Sequence, residues 1–424
     1  MGAYQEAVSE AMSAATSDSM ARLRVVGVGG AGGNAVRGML RARLRGVELM
    51  AINTDAQALS QTGAPVRLRI GEQLTRGLGA GGNPETGLRA AEESRDTIRA
   101  ALAGADMVFV TAGMGGGTGT GAGPAVAMIA RELGALTVAI VSTPFAFEGD
   151  PRRKTAEYGL AALREHVDTL IVVPNERLLQ LAGRAMRMSE AYALADDVLR
   201  GGVQAISDLI AVPGYINLDF ADVRAVMRDA GSAVMTSGQA TGEERANEAP
   251  RVALANPLLD LQVAGARALL VNITGGPDLM IHEVREVVES LRQQVHPDAN
   301  ILFGTVEDPA FEGQLKVTLV AAGFEPRVAN APIPSAMRAP QVAAASQATS
   351  EAAPGWPAQP PLPRVASPVP SSGAPSDELD GLRAGPAQVD PALPLAERTP
   401  RPEQPQRVAA GHGPDTPGFW RRRR

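Results

Sequence analysis

The sequence contains no cysteine, and only two of its 424 residues are lysines, Lys154 and Lys316. The missing cysteines exclude disulfides, thiolate catalysis and zinc–cysteine sites together, which makes the cytoplasm the expected compartment. The few histidines are scattered and fit no catalytic or metal-binding spacing, so we interpret them as surface or packing residues. They are His166, His282, His296 and His412.

Long apolar runs and a basic excess are also missing. The longest apolar runs, such as residues 135–141, are far too short to cross a bilayer. Residues 1–20 have no basic patch followed by an apolar core, so they do not resemble a secretory signal. A net charge of −6 argues against a dedicated nucleic-acid binder, which usually has a basic excess. Together these absences favour a soluble globular protein without a nucleic-acid partner.

Proline divides the chain near residue 330. Of the 32 prolines, 19 fall in the last 94 residues, where alanine, serine and glutamine are also common. Such a stretch cannot bury enough apolar surface to offset the entropy of the chain. We therefore predict a disordered N-terminal extension over residues 1–20, a disordered linker over residues 329–411 and a partner-binding peptide over residues 412–424.

Apolar, β-branched runs alternate with glycine loops and helical patterns in the first part of the chain. Such runs are typical of buried parallel strands. The alternation predicts an α/β fold, a Rossmann-like doubly wound domain over residues 21–185, with its ligand at the carboxyl ends of the strands. The predicted strands are Arg24–Val28, Leu49–Asn53, Asp106–Thr111, Thr137–Ser142 and Thr169–Val173.

A long helical pattern follows this domain. Apolar residues recur at spacings of three and four from Met186 to Val212, which predicts one long central helix within residues 186–214. After it we predict a second, smaller α+β domain over residues 215–328, with a helix at Asp278–Gln294. The strands predicted there are Ala268–Ile273, Asn300–Val306 and Leu315–Ala321.

Three loops are rich in glycine. The first, Gly27-x-Gly29-x-x-Gly32, matches the dinucleotide-binding fingerprint and precedes a predicted helix over Asn34–Arg45. Taken alone, this match indicates a phosphate site no better than it indicates a tight strand-to-helix turn. The third loop, Gly77–Pro84, ends with Asn83 placed as a helix cap and Pro84 at the first helical position.

The second loop, Gly113–Gly121, indicates an anion site more strongly. It follows a predicted strand and leads through Pro124 into a helix. We expect so many glycines to rule out a packed strand or helix and to leave backbone N–H groups free to face phosphates. Because no Walker-type GxxxxGK(S/T) motif occurs, backbone amides, Mg²⁺ and Arg152 are expected to hold the phosphates.

These loops, with two further stretches, resemble the tubulin/FtsZ family of cell-division GTPases. The similarity runs in order from about residue 22 to residue 325, and it implies a GTPase that polymerises head to tail into filaments of the division ring, concentrated at mid-cell. The stretches are Gly27–Val36, Asn53–Leu59, Gly77–Gly87, Gly113–Gly123 with its GGGTGTG core, and Pro144–Gly149.

Tyr192 and Asp196 lie four apart, on one face of the predicted long helix. A ring can stack on a base while a carboxylate accepts hydrogen bonds from the N1–H and 2-amino groups of guanine, which adenine lacks. From the residues alone, an amphipathic helix with Tyr192 at the rim of the core and Asp196 in solvent is the alternative. The resemblance favours base recognition, although family members often have phenylalanine at the position of Tyr192.

The resemblance implies a larger set of residues that bind GTP or GDP. Asn34 and Asn175 match positions that contact base or sugar, and Glu148 and Arg152 match a ribose and phosphate pair, although Pro151 is expected to restrict the reach of Arg152. The predicted set is Gly29, Gly30, Ala31, Gly32, Asn34, Asn53, Ala80, Gly81, Gly82, Asn83, Gly115, Gly116, Gly117, Thr118, Gly119, Thr120, Glu148, Arg152, Asn175, Tyr192 and Asp196.

Asn217, Asp219 and Asp222 are the predicted catalytic residues, because their stretch is similar to the family loop that completes the active site of a neighbouring subunit. Hydrolysis needs a water held in line with the γ-phosphate, and the glycine loops supply no carboxylate to orient it. On the residues alone, Asp219 is equally a helix N-cap and Asp222 an acid that suits the first turn. Two acids would repel a triphosphate bound beside them, so we expect them to serve the nucleotide of a neighbour.

Two other functions fit parts of the pattern. A nicotinamide dehydrogenase would use Gly27–Gly32, but it predicts a single glycine loop and a catalytic histidine or lysine. A paralogue that binds GTP without hydrolysing it would have no need of Asn217, Asp219 and Asp222. Both alternatives therefore explain less of the sequence than a polymerising GTPase does.

The last ten residues, Asp415–Arg424, break the composition of the linker with two aromatic residues and four arginines. They resemble the C-terminal peptide of the family, which docks on membrane-tethering division proteins, so adaptors of the FtsA, ZipA or SepF type are expected partners. The arginine run also suits contact with anionic lipid. A plain disordered end is the alternative.

Overall fold

The computed structural model describes residues 21–181, 186–212, 214–257 and 265–324. The predicted N-terminal extension, linker and C-terminal peptide lie outside these residues. Among the described helices, none is both long enough and apolar enough to cross a membrane.

The described strands form one sheet of ten. They are β1 Leu23–Val28, β2 Val47–Asn53, β3 Val66–Arg69, β4 Met107–Gly113, β5 Leu136–Thr143, β6 Thr169–Pro174, β7 Gly231–Thr241, β8 Ala268–Gly275, β9 Asn300–Glu307 and β10 Gln314–Ala322. Their order across the sheet is β3-β2-β1-β4-β5-β6-β7-β10-β8-β9. Neighbours are parallel except where β10 pairs with β7 and with β8.

Helices connect most of the strands. They are α1 Gly29–Arg41, α2 Ala56–Ser60, α3 Glu72–Thr75, α4 Pro84–Glu93, α5 Arg95–Leu102, α6 Thr118–Glu132, α7 Asp150–His166, α8 Asn175–Leu181, α9 Met188–Ala211, α10 Phe220–Met227, α11 Arg245–Leu254 and α12 Ile281–Arg292.

Both faces of β1, β2, β4, β5 and β6 are covered, which explains why their residues are apolar in continuous runs rather than in alternation. Val25 packs in a core with Val36 of α1, whereas its neighbour Val26 packs on the other face with Ala90 of α4. A third core lies between β7, β8 and β10 and the helices α11 and α12. The predicted doubly wound α/β fold with a smaller α+β part is confirmed.

The predicted long central helix is also confirmed, as α9 with 24 residues. Leu199, Val203 and Ile206 recur on its buried face, and all three are fully inaccessible to solvent. On the side of the smaller part, Asn272 Nδ2 of β8 donates a hydrogen bond of 3.0 Å to the carbonyl of Ala205. The central helix is therefore fastened to both parts of the sheet.

The sequence analysis missed two strands, β3 and β7. β7 mixes glycine, serine, threonine and glutamine, and its residues are buried in alternation rather than in a run. It pairs in parallel with β6 through Gly231–Ala233 and antiparallel with β10 along the rest of its length. Because pairing on both sides, and not an apolar run, holds this strand in the sheet, its sequence alone gives little signal.

The helix bounds also differ from the predictions in the glycine loops. α1 begins at Gly29 and not at Asn34, and it ends at Arg41 because Arg43 takes a left-handed conformation with φ 51°. The expectation that glycines 113–121 exclude a helix was wrong, since α6 begins at Thr118 and includes Gly121. A Cβ on Gly121 would lie 1.9 Å from the carbonyl oxygen of Pro84, so glycine allows α6 to pack directly on the backbone of α4.

Gly121→Ala is expected to destabilise the protein by about 2 kcal/mol, because the added methyl overlaps backbone that cannot yield. Gly123→Ala is the matched control in the same helix, where the nearest atom to the new Cβ is Met114 Cε at 3.9 Å. Alanine there should stabilise by up to about 1 kcal/mol through its helix propensity. Urea unfolding of both variants measures the difference, and equal effects would contradict the packing argument.

Candidate functional site

A cavity of about 370 Å³ opens at the carboxyl ends of β1, β2, β4 and β5. Val28, Asn53, Gly113 and Ser142 line it from those strand ends. From β1 the chain continues to β2 and β3 on one side of the sheet and then returns to β4 and β5 on the other side, so the strand order reverses between β1 and β4. A doubly wound sheet forms its ligand crevice at such a switch point.

Three helix amino ends converge on one side of the cavity, those of α1, α4 and α6. Gly29 has φ +75°, and a Cβ there would lie 2.9 Å from the amide nitrogen of Gly119. Between α6 and α4, a Cβ on Gly117 would lie 2.8 Å from the Cβ of Ala80 and 3.0 Å from the amide nitrogen of Asn83. Each helix amino end carries free N–H groups and about half a positive charge, so this side of the cavity suits a polyphosphate.

Threonine hydroxyls fix these loops to one another. Thr118 Oγ1 shares a buried hydrogen bond of 2.7 Å with Thr54 Oγ1. Thr120 Oγ1 accepts a hydrogen bond of 2.9 Å from the Gly115 amide and is buried. Thr118 still lines the cavity, whereas the hydroxyl of Thr120 is turned into the loop itself.

Tyr192 and Asp196 of α9 lie at the other side of the cavity. The ring of Tyr192 stands perpendicular to that of Phe145, with centroids 5.3 Å apart, and Tyr192 remains 40% exposed. Burial raises the pKa of the Asp196 carboxyl to about 7, although the Arg37 guanidinium acts in the opposite direction. A partly desolvated carboxyl beside an accessible ring suits a flat, polar ligand edge.

Arg152 reaches the cavity despite the neighbouring proline. Pro151 occupies the first turn of α7, where a backbone N–H has no partner within the helix, so proline is tolerated there. Arg152 follows in the same turn. Arg152 Nη1 lies 3.0 Å from Glu148 Oε2, and the Glu148 side chain is largely buried. The backbone of Gly115, with φ +99°, packs under the Arg152 side chain. The expected restriction by Pro151 was therefore wrong.

Asn175 contributes a polar atom without a partner. Its side chain is buried at the start of α8 and lines the cavity, and its Oδ1 accepts no hydrogen bond within the described residues. A buried acceptor left unpaired costs about 1–3 kcal/mol. A ligand hydroxyl or amino group in the cavity would satisfy it.

The cavity brings together 15 of the 21 predicted nucleotide-binding residues. These are Gly30, Ala31, Asn53, Ala80, Gly81, Gly82, Gly116, Gly117, Thr118, Gly119, Glu148, Arg152, Asn175, Tyr192 and Asp196. Ten further residues line the cavity that the predicted set does not include, although eight of them lie in the stretches that carry the family resemblance. They are Val28, Asp55, Ala58, Leu78, Gly79, Gly113, Met114, Ser142, Thr143 and Pro144. Most follow strand ends or glycines, which is the signal that could have identified them.

Six predicted residues do not line the cavity, and the structure gives each another role. Gly29, Gly32 and Gly115 allow close backbone packing. Asn83 caps α4 by accepting from the Glu85 amide at 2.9 Å, and Thr120 accepts from Gly115. The exposed Asn34 accepts a hydrogen bond of 2.9 Å from Arg37 Nη2.

Comparison with known proteins agrees with this geometry. Residues 22–183 match the model of the tubulin/FtsZ family GTPase domain, and residues 231–325 match that of the FtsZ family C-terminal domain. An FtsZ dimer from M. jannaschii is 44% identical, with a TM-score of 0.71 over 74% of this chain and 92% of that one. The chain belongs to the tubulin/FtsZ family.

Two Haloferax volcanii proteins share the fold at lower identity. CetZ2, as a GTPγS-bound protofilament, is 24% identical with a TM-score of 0.60, over 72% of this chain and 93% of that one. CetZ1, as a GDP-bound monomer, is 20% identical with a TM-score of 0.62, over 72% of this chain and 94% of that one. Members of the tubulin/FtsZ family are GTPases that bind GTP and GDP, so the predicted class of protein is confirmed.

The three predicted catalytic residues of this tubulin/FtsZ chain do not line the cavity. Asn217 Oδ1 accepts from the Gly214 amide at 2.8 Å, which closes the turn before α10. Asp219 precedes α10 without a side-chain capping bond, and within the described residues neither the Asp219 nor the Asp222 carboxylate has a hydrogen bond or ion pair. Both are exposed. Their carboxylates are therefore free to meet another molecule.

The segment 214–219, which we call the acid loop, is attached to the far part of the sheet. Ile216 and Thr305 of β9 exchange hydrogen bonds of 2.9 and 3.0 Å. β9 is six strand positions from β4, which corresponds to roughly 30 Å across the sheet. The acid loop and the cavity are thus separate features of one subunit.

Asp196→Asn is expected to become more stable relative to the wild type as the pH rises from 4 to 7. In the folded wild type the raised pKa of about 7 keeps this carboxyl protonated, while the unfolded chain already ionises near pH 4. The wild type therefore loses stability across this window, and the difference is constant above it. Urea unfolding of nucleotide-free protein at pH 4, 5, 6, 7 and 8 measures it, and a pH-independent difference would refute the burial argument.

Proposed function

We propose that this protein is a self-polymerising cytoskeletal GTPase that hydrolyses GTP at the contact between subunits, with Asn217, Asp219 and Asp222 supplied by the neighbour. The observation that carries the proposal is the separation of two free carboxylates from the cavity that suits a nucleotide. Family membership supports the GTPase activity, and the separation supports a site divided between two copies of the chain.

Guanine recognition is assigned to Tyr192 and Asp196. An ionised Asp196 accepts hydrogen bonds from the N1–H and the 2-amino group of guanine, while the accessible ring of Tyr192 stacks on the base. Adenine offers no N1–H and no 2-amino group, so it would leave the half-buried carboxylate unpaired. The unpaired Asn175 Oδ1 supports a nearby contact with a ribose hydroxyl or an amino group of the base.

The phosphates are assigned to the converging amino ends of α1, α4 and α6, with Arg152 as the flexible cation. No group of three or more acids or histidines among the described residues is arranged to hold a metal. Asp55, which lines the cavity, already accepts from the Ala58 amide at 2.9 Å. Mg²⁺ that accompanies GTP would therefore be held by phosphate oxygens and water, as this ion commonly is, and would neutralise phosphate charge.

Exposed apolar side chains support a head-to-tail contact. Leu78, which lines the cavity, is 85% exposed, and Phe147, the chain neighbour of the cavity residue Glu148, is also exposed. Tyr215 on the acid loop is also exposed, as are Met280 and Ile281, which follow β8 in the chain. Single exposed apolar residues are ordinary, but such residues both at the cavity and on the acid loop suit the two sides of one interface.

Filaments of this kind need a connection to the membrane to act in division. The C-terminal peptide over residues 412–424, with its aromatic residues and arginines, is the proposed docking segment for FtsA-, ZipA- or SepF-type adaptors. Mid-cell localisation on the inner face of the membrane would follow from that contact.

Asp196→Ala should weaken GTP binding at least tenfold at pH 8, because hydrogen bonds to a charged group contribute about 1.5–3 kcal/mol each. ATP binding should stay poor in both proteins. Tyr158→Phe, which alters an exposed tyrosine outside the cavity, is the control. A titration in which Asp196→Ala holds GTP as tightly as the wild type would show that Asp196 does not recognise the base.

Turnover per molecule should be nearly absent in dilute protein and rise steeply above the concentration at which polymer sediments. Asp222→Ala should bind GTP normally yet hydrolyse it at least about 100-fold more slowly, as is typical when an aligned water is lost. Its filaments should last longer, because the nucleotide that stabilises the contact persists.

Mixing gives the sharper test of a shared site. An excess of Asp222→Ala should inhibit wild-type turnover, since a wild-type cavity then meets a defective neighbour. Full specific activity in dilute wild-type protein would overturn the shared site, because a complete monomer needs no partner.

A further inference from the structure

Two reciprocal contacts join α10, the helix that follows the acid loop, to the carboxyl end of α6. Arg131 Nη2 of α6 donates to Asp229 Oδ1, just beyond α10, at 2.7 Å. In the other direction, Arg224 Nη2 of α10 donates to the carbonyl of Gly134, just beyond α6, at 3.3 Å. Together these four residues form what we call the α6–α10 contact.

The backbone at Asp229 supports a specific role for this contact. Asp229 has φ 51°, a left-handed conformation that costs an ordinary residue about 1–2 kcal/mol. Glycine would adopt it freely, but glycine has no carboxylate to meet Arg131. Aspartate is one of the few residues that tolerate this conformation, and here its carboxylate also meets Arg131, so the residue suits both the backbone and the contact.

The same helix that holds α10 also begins at the nucleotide cavity. Thr118, the first residue of α6, lines the cavity, and Arg131 lies near its last residue. A helix of 15 residues is a rod of about 22 Å. One rigid element therefore connects the phosphate loops of a subunit to the helix that carries its acids.

We propose that Arg131 and Arg224 are positioning residues, which fix where a subunit presents Asp219 and Asp222 to the nucleotide of its neighbour. This inference rests on the proposed function. Neither arginine lines the cavity, and both act through α10 rather than on the substrate. A displacement of about 1 Å at the reacting groups can lower a rate by as much as about 100-fold, so a modest shift of α10 is enough to affect turnover.

The contact contributes little to folding, which makes the inference testable. The side chains of Arg131 and Asp229 are 43% and 66% exposed, and exposed ion pairs of this kind stabilise proteins by about 0–1 kcal/mol. Val223 and Met227 of α10 are almost fully buried and hold the helix against the core. Loss of the contact should therefore loosen the placement of α10 without unfolding it.

The experiment compares Arg131→Gln and Arg224→Gln in the full chain. Each should lower kcat per polymerised subunit by about tenfold, with GTP affinity and the amount of sedimented polymer unchanged, because the cavity is intact. Arg99→Gln is the matched control. It breaks an exposed pair of 3.0 Å with Glu132, the residue next to Arg131, but that pair reaches α5 and not α10.

Charge reversal separates positioning from a general loss of structure. The double variant Arg131→Asp with Asp229→Arg should recover most of the turnover that Arg131→Gln loses. The inference is wrong if Arg131→Gln and Arg224→Gln keep the kcat of the Arg99→Gln control, or if they lose GTP binding and turnover in parallel. Normal hydrolysis by Asp222→Ala would instead refute the proposed function itself, so the two failures are distinguishable.

Discussion

The convergence of three helix amino ends is the constraint on which the rest of the molecule depends. Like partial charges repel, so α1, α4 and α6 meet at one place only because the backbone between them is glycine and an anion can occupy the space. The parallel pairing of β1 with β4 brings two of these ends together. The same positive end explains why the free acids belong elsewhere, since carboxylates beside it would compete with the phosphates.

The apolar runs of the buried parallel strands were enough to predict the α/β fold, because both faces of that sheet are covered. β7 escaped prediction since its place depends on pairing with β6 and β10, which no local pattern records. The glycines of α6 were misread for a related reason. Gly121 favours a loop when only its own propensity is considered, whereas in the fold it lets α6 pack on the backbone at Pro84, and this packing outweighs propensity.

Within the site, spacing predicted Tyr192 and Asp196 as neighbours, but it gave no measure of how deeply the carboxyl is buried. That burial depends on packing of α9 against α1. It disfavours the ionised form of Asp196, because the described protein groups around it do not make up for the lost water. Asn175 Oδ1 shows the same property as an acceptor that lacks a partner. Polar groups left unsatisfied by the protein are the groups that a ligand in this cavity would have to satisfy.

β7 also determines how the chain can be divided. Its first three residues complete the edge of the larger part of the sheet, and the remainder opens the smaller part. A fragment ending before Gly231 would keep every nucleotide-binding loop and yet expose β6 as a bare edge, with unpaired N–H and C=O groups along Thr169–Ile171. Such an edge invites pairing with other chains, so loss of the part that begins at Gly231 would leave a fragment prone to aggregation.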